Sequence, residues 1–179
     1  MTPQQVEPLV VLASAWVQQQ KAEHRPLGAP LPEVVRSFLS DYYDTSDLNT
    51  VRWRVVPEIA NPPFREEIAA QLAAEGLPAI DFRNMAGITF IDTVVLSQSR
   101  RPPDSGTPSL LLHEMAHVVQ YRLLGFDRFM HDYVRGLADN AFDYFSIPLE
   151  RQAYSIEKRA ATGERFLVEP VLTEMLNLG

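Results

Sequence analysis

The sequence predicts an α+β fold in which a small β-sheet packs on helices. Apolar residues recur at helical spacing over most of the 179 residues, and only three short stretches have strand character. All three lie before residue 98, and only helices are predicted after them. Strands grouped in one part of a chain and helices in another are typical of α+β proteins.

The predicted helices are recognised by their apolar faces and by their ends. Proline or a capping residue stands at several of the starts, and Gly76, Gly125 and Gly163 follow three of the ends. The predicted helices are 6–21, 31–43, 62–75, 108–124, 127–138, 148–161 and a short C-terminal helix that begins near Glu169.

The predicted strands are 51–56, 79–82 and 86–97, with a turn-rich loop at 44–50. The strand 86–97 is long and β-branched and comes shortly before the helix that contains the main motif. We expect one domain, residues 1–179, with an N-terminal helix and connector (1–28), a core (29–163) and a C-terminal helical tail (164–179).

Composition excludes several kinds of partner and site. The net charge of −7 argues against nucleic acid or an anionic membrane as the main partner. With no cysteine, the chain has neither disulfides nor thiolate metal ligands. No signal peptide or transmembrane segment is evident, so we expect a cytoplasmic protein or one exported by a non-classical route.

One motif carries the chemistry: His113-Glu114-x-x-His117, inside the apolar segment 110–124. Histidines four residues apart lie on the same face of a helix, so both imidazoles can bind one Zn²⁺ ion. Glu114 can then address a water molecule on that ion as general base. Polar groups in so apolar a helix need partners, and a metal with its water would satisfy them.

A third ligand is needed for a catalytic zinc site. The metzincin pattern would require glycine at Gln120 and histidine at Leu123, so that class is excluded. His24 lies in a Pro/Gly connector, where we expect a surface residue, and His131 is on a separate helix. Glu150, in the first turn of the helix 148–161 and beside its apolar face, is the better candidate, with Glu157 in reserve.

His113, Glu114, His117 and Glu150 together resemble the gluzincin arrangement of zinc metallopeptidases. Segments between residues 30 and 160 also resemble, in order, the small metallopeptidase domains of contractile-injection-system toxins and related bacterial chains. These segments are Leu31-Pro32-Glu33, residues 51–54, residues 87–95, residues 112–120 and Glu150-Arg151-Gln152-Ala153.

The resemblance implies a zincin-like fold and a zinc-dependent peptidase acting on a peptide or protein. His113, His117 and Glu150 would hold the metal, and Glu114 would be the base. The oxyanion donor stays open among Tyr121, Tyr133, Tyr144 and Tyr154, with Tyr144 and Tyr154 first because they flank Glu150.

One position departs from the gluzincin pattern. Tyr154 stands where these enzymes have an aspartate that orients a ligating histidine, and losing such a partner weakens metal binding or activity. A zinc-binding scaffold or interaction domain with little activity is therefore the main alternative. A helical domain without metal is the third hypothesis.

Overall fold

The computed structural model describes residues 3–101 and 107–178. Within these ranges eight α-helices surround three strands, so the predicted α+β class with a small sheet is confirmed. The helices are α1 (Pro3–His24), α2 (Glu33–Leu39), α3 (Thr45–Thr50), α4 (Arg65–Ala74), α5 (Thr107–Leu124), α6 (Phe126–Asp139), α7 (Pro148–Ala161) and α8 (Val168–Met175). The strands are β1 (Arg52–Val56), β2 (Gly87–Phe90) and β3 (Thr93–Ser97).

The sheet has the order β1-β3-β2, so β3 is central and all five of its residues are buried. Strands β1 and β3 are parallel, with Arg52 opposite Thr93, whereas β2 and β3 are antiparallel, with Phe90 opposite Thr93. Strand β2 is therefore an edge of the described sheet, and it packs against α5.

The predicted single strand 86–97 is wrong, because it is a hairpin made of β2 and β3. The two-residue turn consists of Ile91 and Asp92, and Ile91 has a φ of 64°. A β-branched residue is rarely left-handed, and such a conformation costs on the order of 1–3 kcal/mol, which the surrounding interactions must offset. Here Lys21 and Arg25, at the end of α1, form ion pairs with Asp92 at 3.2 and 3.0 Å.

Two further predictions are corrected. The predicted strand 79–82 has no partner among the described strands, and a short 3-10 helix, Phe82–Asn84, begins there, with the Asp81 carboxylate accepting from the Arg83 N–H. The predicted loop 44–50 contains α3, whose Asp47 is buried and accepts hydrogen bonds from Arg122 of α5 at 3.0 and 3.2 Å. This tertiary ion pair stabilises a six-residue helix that is marginal by itself.

The ends of most helices agree with the sequence patterns. Helix α7 has the predicted bounds, α5 begins at Thr107, and α2 is shorter at both ends than predicted. Helix α6 begins after Gly125, whose φ of 76° suits glycine, rather than at Asp127.

Helix α5 lies at the centre of the molecule. Residues 111–121 are all buried, and the helix packs against α6, α7, α8 and β2. Burial on every side explains why the sequence of this helix is apolar almost all round. Its polar residues therefore meet other elements rather than solvent.

Helix α1 lies across α6 and past the β2–β3 hairpin. It buries Val6, Leu9, Trp16 and Val17, and the Trp16 ring meets Phe82 and Phe90 edge-on at 5.0 and 5.4 Å. In the ranges 3–101 and 107–178, no helix combines the length and the hydrophobicity that a membrane span requires.

Candidate metal centre

Helices α5 and α7 bring three predicted ligands together. His113 and His117 lie one turn apart on α5, and Glu150 lies in the first turn of α7. Glu150 Oε2 is 3.2 Å from His113 Nε2 and 3.4 Å from His117 Nε2. One ligand atom from each residue lies within 4.8 Å of the others, so this buried group could bind a metal ion.

The separations fit a zinc-sized coordination sphere. In a tetrahedral zinc site with bonds of about 2.1 Å, neighbouring ligand atoms lie about 3.4 Å apart. The two measured separations, 3.2 and 3.4 Å, are close to that value. Two nitrogens and one carboxylate oxygen are also the number and kind of protein ligands found in catalytic zinc sites, where water would take the fourth position.

The charges of His113, His117 and Glu150 attract one another, which shifts the pKa values of all three groups. Burial by itself lowers the pKa of both imidazoles, but the neighbouring carboxylates outweigh it, chiefly Glu150 for both and Glu157 in addition for His113, whose pKa rises to about 10. Burial likewise raises the pKa of Glu150, yet the two imidazoles hold it well below its usual range. Without metal the site is a buried ion-pair cluster, and an entering metal would displace its protons.

Each imidazole also has a partner at Nδ1, the nitrogen turned away from Glu150. His117 Nδ1 is 2.8 Å from Gln120 Oε1, and the buried Gln120 amide donates to Leu149 O and Gln152 Oε1. An acceptor at Nδ1 keeps the proton there, which leaves Nε2 free to bind a metal. Gln120, noted in the sequence only as a departure from metzincins, therefore links α5 to the start of α7.

For His113 the partner at Nδ1 is Glu157. Glu157 Oε2 lies 3.6 Å from His113 Nδ1, an ion-pair distance, and this buried nitrogen makes no hydrogen bond. The other Glu157 oxygen, Oε1, accepts a hydrogen bond from Ser109 Oγ at 2.8 Å. Tyr154, at the position of the gluzincin aspartate, instead packs its ring 4.4 Å from the imidazole. The carboxylate near His113 therefore comes from Glu157, about one helical turn after Tyr154. Glu157 is not part of the group formed by His113, His117 and Glu150.

Replacing Glu157 by glutamine is expected to weaken zinc binding about 10–100-fold, because the imidazole loses the charge that orients it. The change can be measured by competition with a chromophoric chelator. The exposed Glu67 supplies the matched control, Glu67→Gln, which should bind zinc as the unmodified chain does. Equal zinc affinity in both variants would show that Glu157 does not orient His113.

The Glu114 carboxylate is held against β2. Its Oε2 accepts a hydrogen bond from Thr89 Oγ1 at 2.7 Å, and the side chain is only 4% exposed. Burial raises the pKa of this carboxyl, although His113, His117 and Thr89 oppose the shift. A buried carboxylate whose pKa is raised is a stronger proton acceptor than an ordinary surface carboxylate.

Gly87 leaves the space that Glu114 occupies. A Cβ at position 87 would lie 2.6 Å from Glu114 Oε1, closer than real Cβ contacts. Gly87 and Thr89 belong to the segment 87–95 that resembles metallopeptidase domains, but no sequence pattern links either residue to Glu114, so only the folded chain reveals their proximity.

Gly87→Ala is expected to retain zinc and to lose about 100-fold in activity, because a displacement of about 1 Å is enough for such a loss. Zinc content and peptide turnover measured on one preparation test this. In the double variant with Glu114→Asp, the shorter side chain relieves the steric clash. The melting temperature of the double variant should therefore match that of Glu114→Asp alone, while activity stays low. Full activity in Gly87→Ala would contradict the inferred role of this glycine.

The four tyrosines considered as oxyanion donors lie in different surroundings. Tyr133 donates to Glu150 Oε1 at 2.6 Å, so it orients the third ligand. Tyr121 is buried and stacks on Phe129 at 3.5 Å, which makes it a core residue.

Tyr144 and Tyr154 line an open cleft with His113 and Glu114. Burial, reinforced by the charge of Glu150, raises the pKa of Tyr154 to about 12 and that of Tyr144 well above its ordinary value, so both remain donors.

Two spaces adjoin the cluster. The open cleft has a volume of about 620 Å³ and reaches His113, Glu114 and the start of β2 at Gly87. A smaller, mostly apolar cavity of about 140 Å³ lies against His117, Glu150 and Thr89. The candidate metal centre therefore adjoins both a cleft and an apolar cavity.

The remaining histidines lie outside this group. His24 is the last residue of α1 rather than part of the connector, and it is partly buried, with its ring parallel to that of Phe90 at 5.9 Å. His131 is 39% exposed and lies near Glu7 and Asp132.

Comparisons of the chain with protein-family models, with curated proteins and with solved structures found no match. The zincin-like fold and the gluzincin identity thus remain predictions. Functional inference rests on the contacts of the chain's own residues.

Proposed function

We propose that this protein is a zinc-dependent peptidase of the gluzincin type. One observation carries the proposal: His113, His117 and Glu150 converge in a buried group, and Glu150 Oε2 lies 3.2 and 3.4 Å from the two Nε2 atoms, close to the spacing of neighbouring zinc ligands. Glu114, next to His113 in the sequence and held by Thr89, supplies the base that hydrolysis needs. The substrate would be a peptide or protein.

His113, His117 and Glu150 would hold the zinc ion, which would supply Lewis acidity that lowers the pKa of water and polarises a carbonyl group. Glu114 accepts the proton from the attacking water and returns it to the leaving amine. Tyr144 and Tyr154 stay protonated at neutral pH and face the same cleft, so either hydroxyl can donate to the developing oxyanion.

The edge strand offers a place for the substrate backbone. Ser97 N donates to Ala86 O at 2.8 Å, which makes these residues a hydrogen-bonded pair of the hairpin. Hydrogen-bonded and non-bonded pairs alternate in an antiparallel sheet, so the next residue, Gly87, turns its N–H and C=O away from β3. Gly87 also lines the cleft, where an extended peptide can pair with it.

The proposal is tested with a mixed peptide library and the purified chain. We expect one zinc per chain by elemental analysis and cleavage products by mass spectrometry. A chelator should abolish cleavage and added zinc should restore it. Zinc-loaded protein that leaves the whole library intact would overturn the peptidase.

One observation favours the second candidate, a zinc-binding scaffold without turnover. Glu114 is only 4% exposed, and His113 and His117 are similarly buried, so water and substrate have little access in this conformation. A scaffold would bind one zinc and gain thermal stability from it without cleaving any peptide. A chain that binds no zinc would exclude both candidates.

A further inference from the structure

The apolar cavity beside the metal centre is lined by apolar side chains, except for Arg65 of α4 and the side that meets the ligands. Its apolar wall comes from α1, α4, α6 and β2 and includes Trp16, Ile68, Ile88, Phe129, Val134 and Leu137. Its polar side consists of His117, Glu150, Thr89 and the nearby tyrosines Tyr121, Tyr133 and Tyr144. Protein interiors are close-packed, so a void of about 140 Å³ is large for a chain of this size.

The cavity is also continuous with the lining of the open cleft. Residues from the loop before β2, from β2 itself and from the segment after α6 line both spaces: Ala79, Ile80, Met85, Gly87, Phe142 and Tyr144. A group bound in the cleft can therefore project past Gly87 into the cavity. Met85 is unbranched and flexible, so it can adjust to such a group.

Size and chemistry restrict what fits. An apolar protein cavity of about 150 Å³ stays dry and binds benzene, and this cavity, at about 140 Å³, is nearly as large. The one cation of this lining, Arg65, already donates to Ile80 O and to the Glu66 carboxylate, so a charged or strongly polar group would lose its hydration against a mostly apolar wall. The occupant is therefore one ring-sized or branched apolar group.

We propose that the cavity receives one aromatic or branched aliphatic side chain of the substrate, from a residue that flanks the scissile bond. This inference rests on the proposed peptidase function and adds its substrate class. Because the cavity touches His117 and Glu150, a side chain seated there places its own backbone at the metal centre. Burial of that side chain then positions the peptide bond for attack.

The first experiment measures occupancy of the cavity without turnover. Benzene should raise the melting temperature of the chain by about 2–4 °C, because it binds the folded state only. Val134→Phe, from α6, and Ala13→Phe, from the opposite wall on α1, fill the cavity and should remove this shift. Val34→Phe is the same change at a residue 82% exposed, and it should keep the shift.

The second experiment compares peptides that differ only at a residue flanking the cleaved bond. Phenylalanine or leucine there should give a kcat/KM about 10–100-fold above alanine. In Val134→Phe and Ala13→Phe that ratio should fall toward one, while zinc content stays at one per chain. Two cavity-filling variants from different helices are used so that a folding failure in one does not prevent the test.

The outcomes separate this inference from the proposed function. A benzene shift that is equal in all variants, or absent from the unmodified chain, would overturn the cavity assignment. Cleavage without preference at either flanking residue would overturn the substrate class while leaving the peptidase intact. Benzene binding that the filling variants remove, with no cleavage of any peptide, would overturn the peptidase and retain a ring-binding cavity.

Discussion

Replacing Glu114 by glutamine is expected to leave the metal in place and to lower peptide turnover about 10²–10⁴-fold. The amide has nearly the same shape and can still interact with Thr89, but it cannot accept a proton from water. The metal ligands His113, His117 and Glu150 are unchanged by the substitution. Elemental analysis and kcat/KM on one preparation measure both halves of this prediction.

The control is His117→Ala, which removes a ligand and keeps the base. This variant should lose both zinc and turnover, whereas Glu114→Gln loses turnover alone. Cleavage by Glu114→Gln at the rate of the unmodified chain would eliminate Glu114 as the base. Loss of zinc from Glu114→Gln would instead indicate that the carboxylate contributes to the metal site.

Replacing Glu150 by alanine is expected to abolish zinc binding and to lower the free energy of unfolding of the metal-free chain by about 3 kcal/mol. Glu150 is only 2% exposed, and its oxygens contact His113, His117 and the Tyr133 hydroxyl. Without the carboxylate, two imidazoles lose the charge that raises their pKa values, and the Tyr133 hydroxyl loses its acceptor. Urea denaturation in the presence of chelator measures the loss.

Glu150→Gln separates charge from shape in the same experiment. It keeps an acceptor for Tyr133, so its stability should lie between those of Glu150→Ala and the unmodified chain, and its zinc affinity should still be low. Glu67→Ala, at an exposed carboxylate, should change stability by less than about 0.5 kcal/mol. A Glu150→Ala chain that holds one zinc and denatures at the original urea concentration would contradict the assignment of this ligand.

Much of the fold is predictable because its signals are local. The bounds of α7 agree with the sequence because Pro148 opens the helix and Thr162 and Gly163 follow its end. The start of α5 follows from Thr107 and Pro108 in the same way. Local chemistry also places His113, Glu114 and His117, since the period of the helix alone brings both histidines onto one face.

The β2–β3 hairpin, in contrast, cannot be predicted from local sequence signals. Ile91 and Asp92 carry none of the glycine or asparagine signals that mark a two-residue turn, so the sequence suggests one long strand. The turn forms where Lys21 and Arg25, about 70 residues earlier in the chain, neutralise Asp92. Helix α3 depends in the same way on the ion pair between Asp47 and Arg122.

By itself the sequence determined the fold class, the apolar central helix and the identity of three ligand candidates with their base. Each of these depends on residue type and on the period of a single helix or strand. Only the tertiary structure shows that Glu150 Oε2 lies within 3.4 Å of a nitrogen of each imidazole. It also shows that the carboxylate near His113 comes from Glu157 and not from position 154, where gluzincins have an aspartate. It also decided that Gly87 makes room for Glu114 and that a cavity adjoins the site. These features depend on distances between residues far apart in the chain, which only the packing of α5 against α7 and β2 sets.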